Sequence, residues 1–424
     1  MHTNSITMIP PHDINQICRA FFQAFVVSLP PAVPPLLLLL SVASFGAGAK
    51  QSKVDANQTA TATYRRLVAI LLLPTLPIFL VSFVGDFRCR CRHAQMLPSS
   101  VKFPRDEFAL VSGASSGIGR DIAIKLAENG ISLILVARDK RQGDAGKTKP
   151  DELENIAANI RAEHDVSVIT MRADFAKPGE ARRLHAETTA ANLTVAQIVL
   201  AAGFGPTNGH IALGRDGDAI ERTVRINVES TAVLASLYGN DMKGLVERRK
   251  QMATSVSSRS LQTTATLHPH ILIVSSVLGT TTGQPDAALY GATKAFGRSL
   301  GQSLLIELEP LGIFVTTLCP GATDTSFAVN SGMDQAGVWN FPLGTVSSSA
   351  DVAKRAVEVM LVGGGLTLPG IMNYLTFKVF MPLLPDRFVL QFNRFCWNPW
   401  PFPFPLGWSK PSEAQPLSSS GDEL

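Results

Sequence analysis

The residues of this chain best equipped for chemistry are a tyrosine and a lysine one helical turn apart, in Tyr290-Gly-Ala-Thr-Lys294. At i and i+4 the two side chains share one face of a helix, which brings the ammonium close to the phenol. A free phenol, with a pKa of about 10, is a poor proton donor at neutral pH, and a neighbouring positive charge stabilises the phenolate and lowers that value. The tyrosine then becomes a usable general acid. Tyr-x-x-x-Lys is common by itself, so its weight comes from what precedes it. A strand from Ile271 to Ser275 runs into Ser276, a helix after Asp216 carries Asn227, and far upstream three glycines stand at Gly113, Gly117 and Gly119.

Those glycines close an apolar strand, Phe108-Ala-Leu-Val-Ser112, and open a stretch, Asp121 to Asn129, that is apolar at helical spacing. Strand, tight turn and helix make a site for a pyrophosphate: the helix N-terminus favours an anion, and glycines let phosphates approach the backbone. Ser115, Ser116 and Ile118 lie among the glycines and join them as candidate cofactor contacts. The next strand, Ser132 to Ala137, is a continuous apolar run of the kind a parallel strand buried on both faces shows. It ends in Ala137-Arg138, where an acidic residue would accept ribose hydroxyls and an arginine favours a 2′-phosphate; Arg138 therefore points to NADP(H) rather than NAD(H). A helix near Leu153–Glu163 and a strand from Ser167 to Arg172 follow, leading to Asp174. Its carboxylate is placed to accept from an adenine amino group or to cap a helix. A fourth strand, Gln197 to Ala202, ends in Gly203.

Strands and helices thus alternate from Phe108 onward, which predicts an α/β fold: a doubly wound parallel sheet of the Rossmann type. The chain has 424 residues and is 46% hydrophobic, ample for one such domain with extensions at both ends. The net charge of +4, without a dense basic run carrying interleaved aromatics, gives no sign of nucleic acid as a partner. Five cysteines, Cys18, Cys89, Cys91, Cys319 and Cys396, are odd in number and lack ligand spacing, which speaks against a disulfide framework and a metal site. Cys319 reads as a small core residue. Cys89 and Cys91, beside an apolar segment, read either as acylation sites or as solvated thiols.

The leader, residues 1–106, reads as membrane or targeting sequence. Two uncharged runs, about 20–49 and 67–84, are long enough for the bilayer, the second being the better span despite Pro74 and Pro77. The first, broken by Pro30, Pro31, Pro34 and Pro35, reads either as a cleaved signal segment ending at Ala47-Gly48-Ala49 or as half of an uncleaved hairpin. Basic residues balance around the second run, so the side of the membrane is undecided.

In this order of motifs the chain resembles the short-chain dehydrogenase/reductase family over about Glu107 to Pro369. The resemblance rests on Gly113, Gly117 and Gly119, Asp174, Ala202-Gly203, Asn227, Ser276, Tyr290, Lys294 and Pro320-Gly321. It implies that Tyr290 donates a proton to the substrate carbonyl, Ser276 polarises that carbonyl, and Lys294 both tunes Tyr290 and holds the nicotinamide ribose. Asn227 would support the proton relay through a water, and Pro320, Gly321 and Thr323 would line the nicotinamide end. The apolar leader is similar to the membrane-bound, lipid-acting branch, such as 3-ketoacyl-CoA reductases, 17β-hydroxysteroid dehydrogenases and 3-ketosphinganine reductases. The implied activity is NADPH-dependent reduction of a ketone on a lipophilic small molecule, or the reverse oxidation. The alternative is a non-catalytic NADPH-binding membrane scaffold or sensor. The helix from Ala295 to Leu308 usually packs against its copy in this family, which implies a homodimer, with burial inside one chain as the alternative.

Three departures stand out. Leu200-Ala201-Ala202-Gly203 replaces the family's Asn-Asn-Ala-Gly, so the hydrogen bonds of those asparagines must be absent or replaced. An extra residue lies between Ser276 and Tyr290. The stretch from Lys243 to His270 is longer than the pattern and reads as a solvated or disordered loop. Thr323 to Asn340 reads as a substrate lid. The extension, residues 370–424, is rich in aromatics with scattered cations. For it the sequence predicts a helix from Asn373 to Phe395 that either lies on the membrane surface or packs over the substrate pocket. The final Gly421-Asp-Glu-Leu424 is similar to an endoplasmic-reticulum retrieval signal except at its first residue. The location this implies is the endoplasmic-reticulum membrane.

Overall fold

In the computed structural model, residues 103–138, 152–205, 217–255, 268–330 and 346–397 are described. β1 (Glu107–Ser112) and β2 (Ser132–Ala137) are apolar runs, and all six residues of β2 are buried. Such strands have no solvent face, so they belong in the middle of a sheet covered on both sides. α1 (Gly117–Glu128) joins them, and α2 (Glu152–Glu163) leads to β3 (Val168–Arg172). After α3 (Glu180–Ala190), β4 (Thr194–Leu200) returns to the other side of β1. α4 (Gly217–Val224), a turn of π-helix (Arg225–Glu229) and the long α5 (Ser230–Ser255) precede β5 (His270–Val274). α6 (Ala288–Leu308) leads to β6 (Phe314–Leu318). The short β7 (Thr323–Asp324), α7 (Ser326–Asn330), β8 (Ser347–Ser348) and α8 (Ser349–Leu361) follow, and β9 (Gly365–Thr367) completes the sheet.

The seven-stranded sheet has the order β3-β2-β1-β4-β5-β6-β9, with every neighbouring pair parallel. Strand order reverses between β1 and β4, and in open α/β sheets the crevice outside the carboxyl ends at that point is where ligands bind. One face is covered by α1, α2 and α8, through Ile122, Leu126, Leu153, Ala157, Val352 and Val357. The other is covered by α3, α5 and α6, through Leu184, Leu234, Tyr238, Met242, Leu300 and Leu304.

Two expectations change. α5 continues to Ser255, so the first part of the stretch read as a loop after Lys243 is helical. The reason is long-range: Leu245 is buried, Val246 packs on the core, and the Arg249 guanidinium pairs with the Glu107 carboxylate at the foot of β1. Residues 256–267 lie outside the described set. The predicted helix from Asn373 to Phe395 is not one helix. It comprises α9 (Ile371–Tyr374), a π-helical turn (Leu375–Phe380), a 3-10 turn (Met381–Leu383) and α10 (Asp386–Trp397). Leu384 is extended, as the residue before Pro385 must be when the ring disfavours helical backbone there.

Of the predicted lid, residues 323–330 are described and form β7 and α7. Both leader runs, Cys89, Cys91 and the chain end lie outside the described residues, among which no helix is long and apolar enough to cross a membrane.

Candidate functional site

β1 delivers the glycine turn to the head of α1. Gly113 and Gly117 have φ of 70° and 54°, a region that residues with a Cβ rarely adopt. A Cβ on Gly113 would meet Ala202 N at 2.9 Å, and one on Gly119 would lie 2.9 Å from the carbonyl carbon of Gly113. The glycines therefore let the turn, the helix and the end of β4 nest without side chains between them. Ser115 is half-buried and Ser116 exposed at the N-cap of α1. The Ser116 side chain makes no capping hydrogen bond and no acidic residue sits in the first turn. The first N–H groups of the helix thus face the crevice without a side-chain acceptor, the condition for an anion site. Ile118, half-buried, packs against the core below.

The missing asparagines are replaced by Ser112, the residue just before the turn. Its hydroxyl donates to Val199 O (3.1 Å) and accepts from the N–H groups of Ala201 (3.1 Å) and Ala202 (3.2 Å), tying β1 to β4. Sequence reasoning missed this residue. The available signal was a hydroxyl adjacent to Gly113 facing a segment that had lost its own polar side chains.

Arg138 is exposed one residue beyond β2, and the Arg172 guanidinium at the end of β3 donates to its carbonyl (3.4 Å). Asp174 does not cap the next helix, whose N-cap is Gly179; it accepts from Ala176 N (3.2 Å) within the turn after β3, while its own N–H donates to Glu180 (3.1 Å).

Asn227 occupies the middle of the π-helical turn and is buried. Its carboxamide brackets the peptide after Gly203, accepting from Phe204 N (2.9 Å) and donating to Phe204 O (2.7 Å), and also donates to Thr293 Oγ1 on α6 (2.9 Å). A Cβ on Gly203 would stand 3.5 Å from Lys294 Nζ and 3.8 Å from Asn227 Oδ1. Gly203, Asn227 and Lys294 therefore meet at the carboxyl end of β4.

Ser276 follows β5 and caps a short 3-10 turn, accepting from Leu278 N at 3.2 Å. Its hydroxyl is also the group that opposes the burial-driven rise of the Tyr290 phenol, so the two side chains face one another. Tyr290 and Lys294 lie on the buried side of α6, as their spacing predicts. Lys294 Nζ sits 5.6 Å from the centre of the Tyr290 ring and donates to Val274 O (3.0 Å). The electrostatics differ from the expectation. Burial pushes the Tyr290 phenol up, and the group opposing that rise is the Ser276 hydroxyl rather than the lysine. The physical reason is placement: the ammonium is drawn to the Val274 carbonyl, below the ring rather than beside the hydroxyl. Burial in turn lowers Lys294 to about 8.

Pro320 and Gly321 close the site from β6. Val277 N donates to Pro320 O (3.0 Å), and the buried Thr323 donates its hydroxyl to Gly321 O (3.0 Å). Cys319 is fully buried, as expected of a core residue, and its thiol is raised to about 11 by burial.

A seven-stranded parallel sheet with a glycine turn at its switch point and a buried Ser-Tyr-Lys set beside it defines a Rossmann-type nucleotide-binding protein. A family model described as short chain dehydrogenase matches residues 107–336, more than half of the chain, and the chain belongs to that family. Mouse (Mus musculus) 17-beta-hydroxysteroid dehydrogenase type 3 is 24% identical over 236 residues, covering 55% of this chain and 66% of that protein. Human (Homo sapiens) very-long-chain 3-oxoacyl-CoA reductase is 26% identical over 224 residues, covering 52% of this chain and 61% of that protein. The match therefore spans less than two thirds of either relative. Among solved structures, a short-chain dehydrogenase from Sphingobium yanoikuyae in complex with NADPH superposes with a TM-score of 0.51 at 26% identity, covering 64% of this chain and 91% of that one.

Proposed function

We propose that this protein is an NADP(H)-dependent oxidoreductase that reduces a ketone on a lipophilic substrate, or oxidises the corresponding secondary alcohol. The observation that carries the reading is the convergence of Ser276, Tyr290 and Lys294 beside the glycine turn. The cofactor fits the chain on structural grounds. Gly113 and Gly119 leave a cradle that a Cβ would fill, α1 offers N–H groups not capped by a side chain, and Arg138 is exposed where a 2′-phosphate would stand. NADP(H), when bound, supplies or accepts the hydride.

The chain's own residues handle the proton. Burial disfavours the phenolate, so Tyr290 stays protonated until a carbonyl oxygen reaches it. Ser276, facing the phenol, holds that oxygen in line. As the proton leaves, the Ser276 hydroxyl offsets part of the cost of the buried phenolate, while Lys294, held on Val274 O, stands where it would meet the nicotinamide ribose. Asn227 fixes the Gly203–Phe204 backbone against which the cofactor would lie. Asp174, Ala202, Pro320, Gly321 and Thr323 complete the proposed cofactor contacts.

The relatives' printed names support a lipophilic substrate, 3-oxoacyl-CoA or a steroid. So do Tyr374 and Phe377 of the C-terminal segment, which pack against the cluster formed by Val277, Cys319 and Leu368 behind the catalytic serine. The proposed organisation is a membrane leader over residues 1–106, a reductase domain over 107–369 and an aromatic extension over 370–424. A location at the endoplasmic-reticulum membrane and a homodimer through α6 belong to the same proposal.

The test is NADPH consumption by membranes carrying the full-length protein, offered long-chain 3-oxoacyl-CoA, steroid ketones and 3-ketosphinganine, with Tyr290→Phe as control. Turnover should fall about 10²- to 10⁴-fold in the variant, the range for losing a positioned proton donor. Tight NADPH binding without turnover of any ketone would favour the scaffold reading instead.

A further inference from the structure

The segment from Gly370 to Trp397 lies beyond the residues that the family model matches, yet it touches both loops that flank the catalytic side chains. The first loop runs from Ser276 to Tyr290. Between the 3-10 turn and α6 it has no regular structure, carries an extra residue relative to the family pattern, and holds Asp286 at a φ of 65°, rare for a side-chain-bearing residue. Asn393, in the middle of α10 and 4% exposed, donates to Thr281 Oγ1 (3.1 Å) and to Gly283 O (2.7 Å) of this loop. Leu390, one turn earlier, lies 2.9 Å from where a Cβ of Gly283 would be. Arg394 approaches Asp286 at 4.0 Å.

The second loop is the Pro320–Gly321 turn. Asn373, 2% exposed, donates to Pro369 O (3.0 Å) and lays its carboxamide where a side chain at Gly321 would stand, with Oδ1 2.6 Å and Cγ 2.7 Å from that Cβ position. Gly321 is thus glycine because Asn373 packs on it. The two loops also touch, through Val277 N and Pro320 O.

A buried carboxamide is costly unless its hydrogen bonds are made, and an apolar residue would fill the same space at lower cost. Asn393 bonds the serine loop directly, and Asn373, fixed by its bond to Pro369 O, packs on Gly321; together they indicate a role in geometry rather than in bulk packing. We propose that the C-terminal segment is a brace that sets the spacing between the catalytic-serine loop and the nicotinamide loop, with Asn373 and Asn393 as its positioning residues. The proposal deepens the ketone-reductase reading and rests on it for the identity of the two loops.

The test uses the full chain with Asn393→Ala and Asn393→Gln. Amide hydrogen exchange in residues 281–287 should quicken about tenfold in the alanine variant, since a local opening then breaks two fewer buried bonds, while β1 and β2 keep wild-type protection. NADPH affinity, read from nicotinamide fluorescence, and KM for NADPH should stay within about twofold, while kcat with a long-chain 3-oxoacyl-CoA falls about tenfold. The glutamine variant, which keeps the carboxamide donor, should recover most of both losses. Unchanged exchange in the loop, or an acceleration spread evenly over the sheet, would overturn the brace. Should the wild type bind NADPH yet reduce no ketone, the loop-specific exchange change still supports the brace while the ketone-reductase reading falls.

Discussion

The β1–β3 half of the sheet and the half from β4 to the C-terminal segment build their parts of the site from different materials. In the first, the work is done by backbone: Gly113 and Gly119 let main chain meet main chain, and the uncapped head of α1 presents N–H groups. In the second it is done by side chains held from a distance. Tyr290 meets Ser276 from another element, Asn227 reaches from the π-helical turn to Phe204 and Thr293, and Asn393 reaches back to Thr281 and Gly283. A backbone site fits any ligand with the right phosphates. A side-chain site depends on loops whose positions are set by residues far along the chain. The first half therefore suits a cofactor and the second suits choice of substrate.

The sharpest way to break that contrast is to put a methyl group into the backbone half. A Cβ on Gly119 collides with the Gly113 carbonyl, and backbone cannot yield as a flexible side chain can. Gly119→Ala should cost about 3 kcal/mol, the upper part of the range for overpacking, and should abolish NADPH binding at concentrations that saturate the wild type. Thermal unfolding with and without NADPH reads both effects; a variant that melts and binds like the parent would show the nesting to be dispensable. The only side chain proposed to carry specificity in this half is Arg138. Arg138→Ala should raise KM for NADPH by about 10- to 100-fold, the worth of a charge-assisted phosphate contact, and leave NADH nearly unaffected. Equal effects on both cofactors would remove the 2′-phosphate role.

How far each half could be read from sequence follows the same division. The strand-turn-helix at Phe108–Glu128 and the buried run Ser132–Ala137 are local patterns, and the structure reproduces them almost residue for residue. The Tyr290–Lys294 spacing gave the shared face, since period alone fixes it. It did not give the electrostatics, because burial and the competing Val274 carbonyl are tertiary facts. Ser112 was overlooked because its partners lie in β4 and just beyond it. The length of α5 was misread for a similar reason: Arg249 finds Glu107 across the whole domain. In the C-terminal segment the aromatic composition was legible, whereas the break at Leu384–Pro385 required giving one proline more weight than the aromatic run around it.

A pH measurement probes the second half away from the site. His270, at the amino end of β5, is fully enclosed, hydrogen-bonds Thr316 Oγ1 (2.8 Å) and is lowered to about 3, by burial first and by His268 second. The folded value lies below the unfolded value of 6.5, so the folded chain binds fewer protons. This stability is present above pH 6.5 and is lost as pH falls toward 3. Between pH 7 and pH 5 the loss amounts to about 2 kcal/mol. Urea unfolding at the two pH values should show it, and His270→Gln should flatten the difference by that amount. Equal slopes in variant and parent would mean the imidazole is already protonated in the fold.

The smallest effect is expected where the two halves are joined. Ser112 Oγ holds Val199 O and the N–H groups of Ala201 and Ala202, three backbone groups of the β4 end on one oxygen. Its removal in Ser112→Ala takes the acceptor from the two N–H groups, but Ala201 and Ala202 are only half-buried, so water recovers part of the loss. The net cost should be about 1 kcal/mol, with NADPH affinity about fivefold weaker because Ala202 backs the Gly113 turn. Ser112→Thr keeps the hydroxyl and should behave like the parent. A loss shared by the threonine variant would locate the effect in packing beneath the turn. A loss confined to the alanine variant would assign the join between the cofactor half and the substrate half to that one hydroxyl, in place of the asparagines this chain lacks.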